Sequence, residues 1–422
     1  MNTIAYLGWR SVLNRRGSVL LTVLSIALSV AMLIGVERLR NDARDGFART
    51  VSGTDLIVGA RGGQVQLLLY SVFHIGNASN NLSWQSVQHI AALPQVDWVV
   101  PLSLGDTHLG YRVVGTTAEY FARFRHGDDR ALVFAAGRAF APAPEGIFET
   151  VIGAELAARH GYQVGAKIVL SHGSGGFADH GDKPFTVVGI LAPSGTPVDR
   201  SVLVSLEGIE AIHVDWQGGA PIPGVSIGAE HVRKFDLTPK TVTAAMVGLK
   251  NRVTVFRVQR QINTFADEPL TAILPGATLQ ELWSLVGVAE RALLAVAAVV
   301  VVVGLAGLVA VMIAGLGERR RELAILRALG AGPRHVLGLL MLESVTLAVV
   351  GILCGLLLVH GLIWMSGGWL TTTYGIYLGI GWPSLSEWGL LGAVLAASVL
   401  ASLVPAYRAY RYAVADGMTI RM

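Results

Sequence analysis

One glycine-rich segment, SHGSGGFADHGDKP, gathers His172, Asp179, His180 and Asp182. Imidazole nitrogen beside carboxylate oxygen is a donor mixture that suits zinc and its neighbours. The metal-ligand candidates in this segment are His172, Asp179 and His180. Two further acid–histidine pairs, Asp106/His108 and His213/Asp215, lie elsewhere, and all of the eleven histidines except His335 and His360 fall between Glu37 and Arg291. Against a metal stands the absence of any repeated tight ligand spacing; a polar hairpin loop reads the same way. A second pattern matches by letter only. GVSIG at Gly224–Gly228 fits Gly-x-Ser-x-Gly, with Ser226 in the nucleophile's place. That elbow needs a strand before it and a helix after it, whereas Pro221-Ile222-Pro223 precedes this one. In a chain with 50 glycines such matches arise by chance. No catalytic residue is assigned.

A different kind of segment is GERRRELAILRALGAG, Gly317–Gly332. Leu323, Ile325, Leu326 and Leu329 form an apolar stripe beside Glu322 and Arg327. Arginines next to an apolar run follow from the bias of Lys and Arg toward the inner side of a membrane. The stripe asks for more: a membrane surface or a soluble partner must cover it. Glu343 lies inside the next apolar run. There an ionisable group is either functional or close enough to the interface to snorkel.

The elements that must hold these groups follow from composition. Only 15% of the residues are charged and 52% are hydrophobic, against ~25% charged in ordinary soluble domains. The deficit sits in four apolar runs: 17–36, 292–316, 336–365 and 388–407. Each is long enough to cross a bilayer, since ~20 helical residues span the ~30 Å hydrocarbon core. Arg10, Arg15 and Arg16 precede the first run. Arg319, Arg320, Arg321, Arg327 and Arg334 sit between the second and third, and Arg408, Arg411 and Arg421 follow the fourth. The connection 366–387 has neither Lys nor Arg. Lys and Arg placement therefore puts both termini and residues 317–335 inside, and residues 37–291 outside. The first run is read as an uncleaved anchor. Its apolar core exceeds the ~7–15 residues of a signal peptide, and Glu37-Arg38-Leu39-Arg40 stands where small cleavage-site residues belong.

The remaining domains follow. Residues 1–16 read as an amphipathic helix on the inner surface, 317–335 as a cytoplasmic loop, 366–387 as an external loop and 408–422 as an inner tail. Within 37–291, short β-like runs recur between Gly, Pro, Asn and Asp turns. They are Asp55–Val58, Trp98–Val100, Tyr111–Val114, Lys167–Ser171, Phe185–Leu191 and Ser201–Val204. Helical patterns cover Ser83–Ala92 and Thr150–His160, and helical stalks are expected at Glu37–Thr50 and Thr278–Arg291. The expected fold is an α-helical membrane protein with four transmembrane helices and a large α+β extracytoplasmic domain inserted between helices 1 and 2. The single cysteine, Cys354, excludes a disulfide framework. The net charge of +4 is explained by topology and gives no reason to expect nucleic acid.

Three stretches carry a resemblance: Trp9–Met32, Glu318–Ser344 and Pro405–Met418, the middle one (ERRRELAILRALGAGPRHVLGLLMLES) being the most specific. Together with the layout they make the chain resemble the FtsX/MacB/LolC–LolE type of ABC-transporter permease. The resemblance implies a bacterial inner-membrane, multi-pass protein that transmits ATP-driven movement to its periplasmic domain. Export or extraction of a periplasmic or lipid-anchored substrate would be the result. An FtsX-like scaffold regulating a periplasmic enzyme, or a metal-linked envelope system, is the alternative. It also implies a coupling role for Glu318, Arg321, Glu322, Leu323, Leu326 and Arg327. The chain contains no Gly-x-x-x-x-Gly-Lys-Ser/Thr and no Gly-Lys pair, so the backbone nest and lysine that cradle phosphates are missing. No cofactor is expected on this chain; ATP and magnesium belong to an ABC ATPase subunit, in two copies beside a permease homodimer, with a heterodimer as the runner-up. A periplasmic partner protein is a further implied contact.

Overall fold

The computed structural model describes residues 16–50, 52–127, 129–172, 179–217, 220–225, 227–318, 332–374, 379 and 381–415. Contacts divide the chain into two units. One comprises Met1–Ala43, Gly287–Thr371 and Tyr377–Met422; the other comprises Arg44–Val286 and Thr372–Ile376.

The first unit is helical. Among the described residues, four long helices run Arg16–Thr50, Pro275–Glu318, Pro333–Tyr374 and Leu385–Ala415. Each contains a stretch long and apolar enough to cross a membrane. In the second of these helices only 22% of the most apolar window is buried. Val299, Val302 and Val303 stand outward, each more than 60% exposed. Such a surface is costly in water and suited to lipid. The inward faces meet in a core that includes Ile26, Val30, Ile34, Leu308, Met312, Leu340, Leu347 and Leu391. Gly351 and Gly355, four residues apart, admit the first helix: a Cβ at Gly351 would lie 2.6 Å from Ile26 Cγ2, and one at Gly355 2.8 Å from the Ala27 carbonyl. This is close helix approach over small residues. The matching pair Gly392/Ala396 has no such role at Gly392, where a Cβ would meet nothing within 4 Å. Glu343 is half-buried and engaged in contacts of its own.

The helices outrun their apolar stretches. Pro275–Glu318 is one unbroken helix of 44 residues, about 66 Å at the α-helical rise. The expected stalk and span are thus a single element, and the first helix likewise continues to Thr50. In the second unit the Arg44 guanidinium lies over the Trp283 ring at 5.5 Å, joining the ends of these two helices by a cation–π contact.

The second unit is built on a mixed eleven-stranded sheet. In chain order its strands are β1 (Leu56–Ala60), β2 (Val96–His108), β3 (Tyr111–Thr116), β4 (Phe134–Gly137), β5 (Glu149–Ile152), β6 (Lys167–Ile168), β7 (Ser171–His172), β8 (Phe185–Leu191), β9 (Ser201–Ser205), β10 (Ala244–Leu249) and β11 (Leu270–Ile273). The spatial order is β11-β1-β10-β2-β3-β9-β5-β8-β4, with β7 added to β2 and β6 to β8. The pairs β3/β9 and β5/β8 are parallel. Central strands are covered on both faces: in β9, Val202 and Val204 join one core while Leu203 joins the other. This is why SVLVS reads as a continuous buried run rather than an alternating one.

Two expectations about local structure change. The helix expected over Thr150–His160 begins only at Ala154, because the β-branched Thr150-Val151-Ile152 complete strand β5 between β8 and β9. Gly153 makes the switch; a Cβ there would lie 2.3 Å from the Asp199 and Val198 carbonyl oxygens. The run Lys167–Ser171 splits: β6 pairs antiparallel with β8, as a hairpin between these two segments requires, whereas Ser171 joins β7, which pairs with β2. Ahead of Gly224–Gly228, Trp216–Gln217 and Ala220–Pro221 pair as a short ribbon, and Ser226 lies outside the described residues.

His74 follows the helix Gln64–Val72 in a left-handed conformation, φ 56°, with Nδ1 3.0 Å from Ser201 Oγ. Burial first, and the Arg112 guanidinium second, push its pKa down to about 4. The unfolded chain binds a proton here near pH ~6.5 that the native state refuses, so stability rises with pH between the two values and is lost as pH falls through them. The thermal midpoint of the wild-type protein should therefore drop between about pH 7.5 and about pH 5, and His74→Gln should drop by less. Equal drops would remove His74 from this account.

Candidate functional site

Of the expected coupling residues, Glu318 ends the helix Pro275–Glu318, and Arg321, Glu322, Leu323, Leu326 and Arg327 lie outside the described residues. The histidine segment is described on both sides of residues 173–178.

Four titratable side chains converge in the second unit. Asp106, His172, His180 and His213 each present one donor atom, and these atoms all lie within 4.8 Å of one another. Strand pairing places the first two: His172 of β7 stands directly opposite Asp106 of β2. The pairing of β2 with β3 shifts register between Leu104 and Thr107. Such an irregularity re-aims side chains, and Asp106, Thr107 and His108 are all buried beyond it. A bridge between Ser171 and Asp179 turns the chain back. The His180 N–H then donates to the Leu170 carbonyl at 2.9 Å, fixing the next residue beside β7. His213 ends the helix Leu206–His213, capped at its start by the Ser205 hydroxyl.

Three imidazoles surround the one carboxylate. His172 Nδ1 is 3.0 Å from Asp106 Oδ1. His213 Nε2 is 3.3 Å from His172 Nδ1 and 3.8 Å from Asp106 Oδ1. The His213 Nδ1–H donates to the Ile209 carbonyl at 2.8 Å, so its Nε2 lone pair faces the cluster. His180 is 1% exposed, and its Nε2 has no hydrogen-bond partner. Burial, then His213 and more weakly Lys183, push its pKa down to about 4 against the opposing pull of Asp106 and Asp182. Trp216 walls the cluster, its ring 4.6 Å from that of His180, 5.4 Å from His172 and 5.5 Å from His213.

Of the ligands expected from sequence, the structure brings His172 and His180 together and leaves Asp179 aside. The Asp179 carboxylate accepts from the Ser171 hydroxyl at 2.6 Å. Asp106 and His213 take part, but their sequence neighbours do not. His108 is held by the Val169 carbonyl at 2.7 Å and by Tyr162 at 2.9 Å. Both Asp215 carboxylate oxygens accept from the buried Lys183 ammonium, at 2.8 and 2.9 Å, and Oδ2 also accepts from the Ile227 N–H at 3.1 Å. Burial raises the Asp215 pKa, but Lys183 and the Ile227 N–H outweigh it, so the net shift is downward.

The first unit contains a second buried polar group. The Arg38 guanidinium engages both Glu387 oxygens at 3.1 and 3.0 Å and the Gly381 carbonyl at 3.2 Å. His360 Nε2 lies 3.4 Å away. Glu387 also closes a reciprocal cap on its own helix: its carboxylate accepts from the Ser384 N–H at 3.0 Å, while its N–H donates to the Ser384 hydroxyl at 3.3 Å. The Ser-x-x-Glu spacing in WPSLSE was the legible signal for this cap; the arginine partner had none.

Comparison with known proteins gives the following matches. The family model for the MacB-like periplasmic core domain matches residues 19–265, and that for the FtsX-like permease C-terminal region matches residues 294–414. A macrolide export ATP-binding/permease protein MacB from Nitrobacter winogradskyi is 33% identical over 121 residues, which make up 28% of this chain and 17% of that protein. Most of that relative's length therefore has no counterpart in the match. Among solved structures, the periplasmic region of MacB from Actinobacillus actinomycetemcomitans aligns at 11% identity and a TM-score of 0.33, over 55% of this chain and 94% of that one. The extracellular domain of the noncanonic ABC-type transporter YknZ from Gram-positive bacteria aligns at 12% identity and a TM-score of 0.30, over 52% and 99%. With the periplasmic-core model alone matching more than half of the sequence, and the permease model matching three of its four apolar helices, the chain belongs to the FtsX-like ABC-transporter permease family with a MacB-like periplasmic core domain.

Proposed function

We propose that the chain is the membrane subunit of an ABC system that takes ATP-driven movement from a separate ATPase and delivers it to an external sheet domain. The family match to residues 19–265 and 294–414 is the observation that carries this reading. Two further features support it. The arginine-rich segments before the first, between the second and third, and after the fourth apolar runs share one side by the Lys/Arg bias. The helices Arg16–Thr50 and Pro275–Glu318 continue unbroken from one unit into the other. Residues 318–334 receive the ATPase, two copies of which serve a permease homodimer in the bacterial inner membrane. The work done outside is export or extraction of a periplasmic or lipid-anchored substrate.

The orientation on which this depends is open to a labelling experiment. Val253 is 86% exposed in the sheet unit. With Cys354 replaced by alanine, a cysteine at position 253 should react with a membrane-impermeant maleimide in intact spheroplasts. Reaction only after lysis would invert the topology and overturn the proposal.

A further inference from the structure

We propose that Asp106, His172, His180 and His213 form a tetrahedral site for one borderline divalent transition metal ion, Zn2+ foremost. Geometry comes first. A tetrahedral ion with bonds of ~2.1 Å holds its donors about 3.4 Å apart. The separations of 3.0, 3.3 and 3.8 Å among Asp106, His172 and His213 bracket that distance. All four donors lie within 4.8 Å, so a small closing movement completes the shell.

Donor chemistry selects the class of ion. Three imidazole nitrogens and one carboxylate oxygen suit zinc, cobalt or nickel. Calcium and magnesium require oxygen shells, and copper(I) favours sulfur. The surroundings are those of a ligand set. His213 spends its Nδ1–H on the Ile209 carbonyl, which fixes the tautomer that offers Nε2. Lys183, the nearby cation, is tied to Asp215 and Asp182. A hydrogen-bond network alone accounts for Asp106 with His172, but it leaves the buried His180 Nε2 without a partner, which is costly in a protein interior. An ion bound through Nε2 supplies that partner.

Four protein donors leave no open coordination position, so the ion is held rather than used to activate water. It latches β2, β7, the segment at His180 and the end of the helix Leu206–His213 to one another. The inference stands on the cluster itself and does not require the proposed transport role.

The test uses the full chain in detergent, stripped with chelator and titrated with ZnCl2 and CoCl2. One equivalent per chain should bind. Cobalt should give the intense visible bands of tetrahedral coordination, a result that needs no variant. Zinc at ~100-fold excess over its Kd should raise the thermal midpoint by about 5 °C or more. His213→Gln and His172→Gln should each weaken binding by on the order of 100-fold or more. Cobalt should quench the fluorescence of Trp216, whose ring lies against three of the ligands, and Trp216→Phe should keep the stoichiometry but lose that quenching. Absence of stoichiometric binding, a pale octahedral cobalt spectrum, or wild-type affinity in both histidine variants would each overturn the site.

Discussion

Replacing Glu387 with glutamine should destabilise the helical unit by about 3–5 kcal/mol, the cost of stranding a buried charge. The side chains of Arg38 and Glu387 are 6% and 3% exposed. The guanidinium meets the carboxylate through two hydrogen bonds in a fork geometry. Removing the carboxylate charge leaves Arg38 with the Gly381 carbonyl and His360 Nε2. The change also weakens the cap on the helix Leu385–Ala415, since an amide is a poorer acceptor for the Ser384 N–H than a carboxylate. The expected observation is a sharply lowered thermal midpoint in detergent. The double change Arg38→Met with Glu387→Leu should recover much of the loss, because it removes both charges together. A single variant as stable as wild type would mean that the pair is solvated and contributes only the ~0–1 kcal/mol of an exposed ion pair.

What could be read from the sequence, and what could not, follows the range of the interactions. The apolar runs were plain because lipid selects residue type position by position. The strand at Ser201–Ser205 was plain because both of its faces are buried, and that at Phe185–Leu191 because it alternates buried and half-buried residues over a β-branched, mostly apolar run. Thr150–Ile152 misled because a short apolar stretch before a helix shows no period long enough to separate strand from helix. The cluster of Asp106, His172, His180 and His213 was half legible. His172 and His180 share one glycine-rich segment. Their union with Asp106 depends on the register of β7 against β2, and with His213 on where a helix ends; neither is written in local composition. Asp179 is close to both histidines in sequence, but its carboxylate is satisfied by the Ser171 hydroxyl instead. The Arg38–Glu387 pair spans 349 positions, beyond any local pattern.

The central claim is that this permease works by docking a separate ATPase through the segment that follows the helix Pro275–Glu318. The expectation for that segment rests on its residue pattern: an apolar stripe of Leu323, Ile325, Leu326 and Leu329 with Glu322 and Arg327 beside it. At such an interface a few buried apolar anchors carry most of the affinity, while rim charges set orientation and encounter rate. Losing one anchor costs about 2 kcal/mol or more, roughly 30-fold in affinity. The direct measurement is ATP hydrolysis and ATPase stoichiometry of the complex purified on a tagged permease, wild type against Leu326→Asp, after both are shown to insert equally. The account predicts that wild type retains two ATPase copies per permease pair and stimulates their turnover, and that Leu326→Asp loses both the bound ATPase and the stimulation. A variant that inserts normally and keeps its ATPase at wild-type stoichiometry and rate would contradict it.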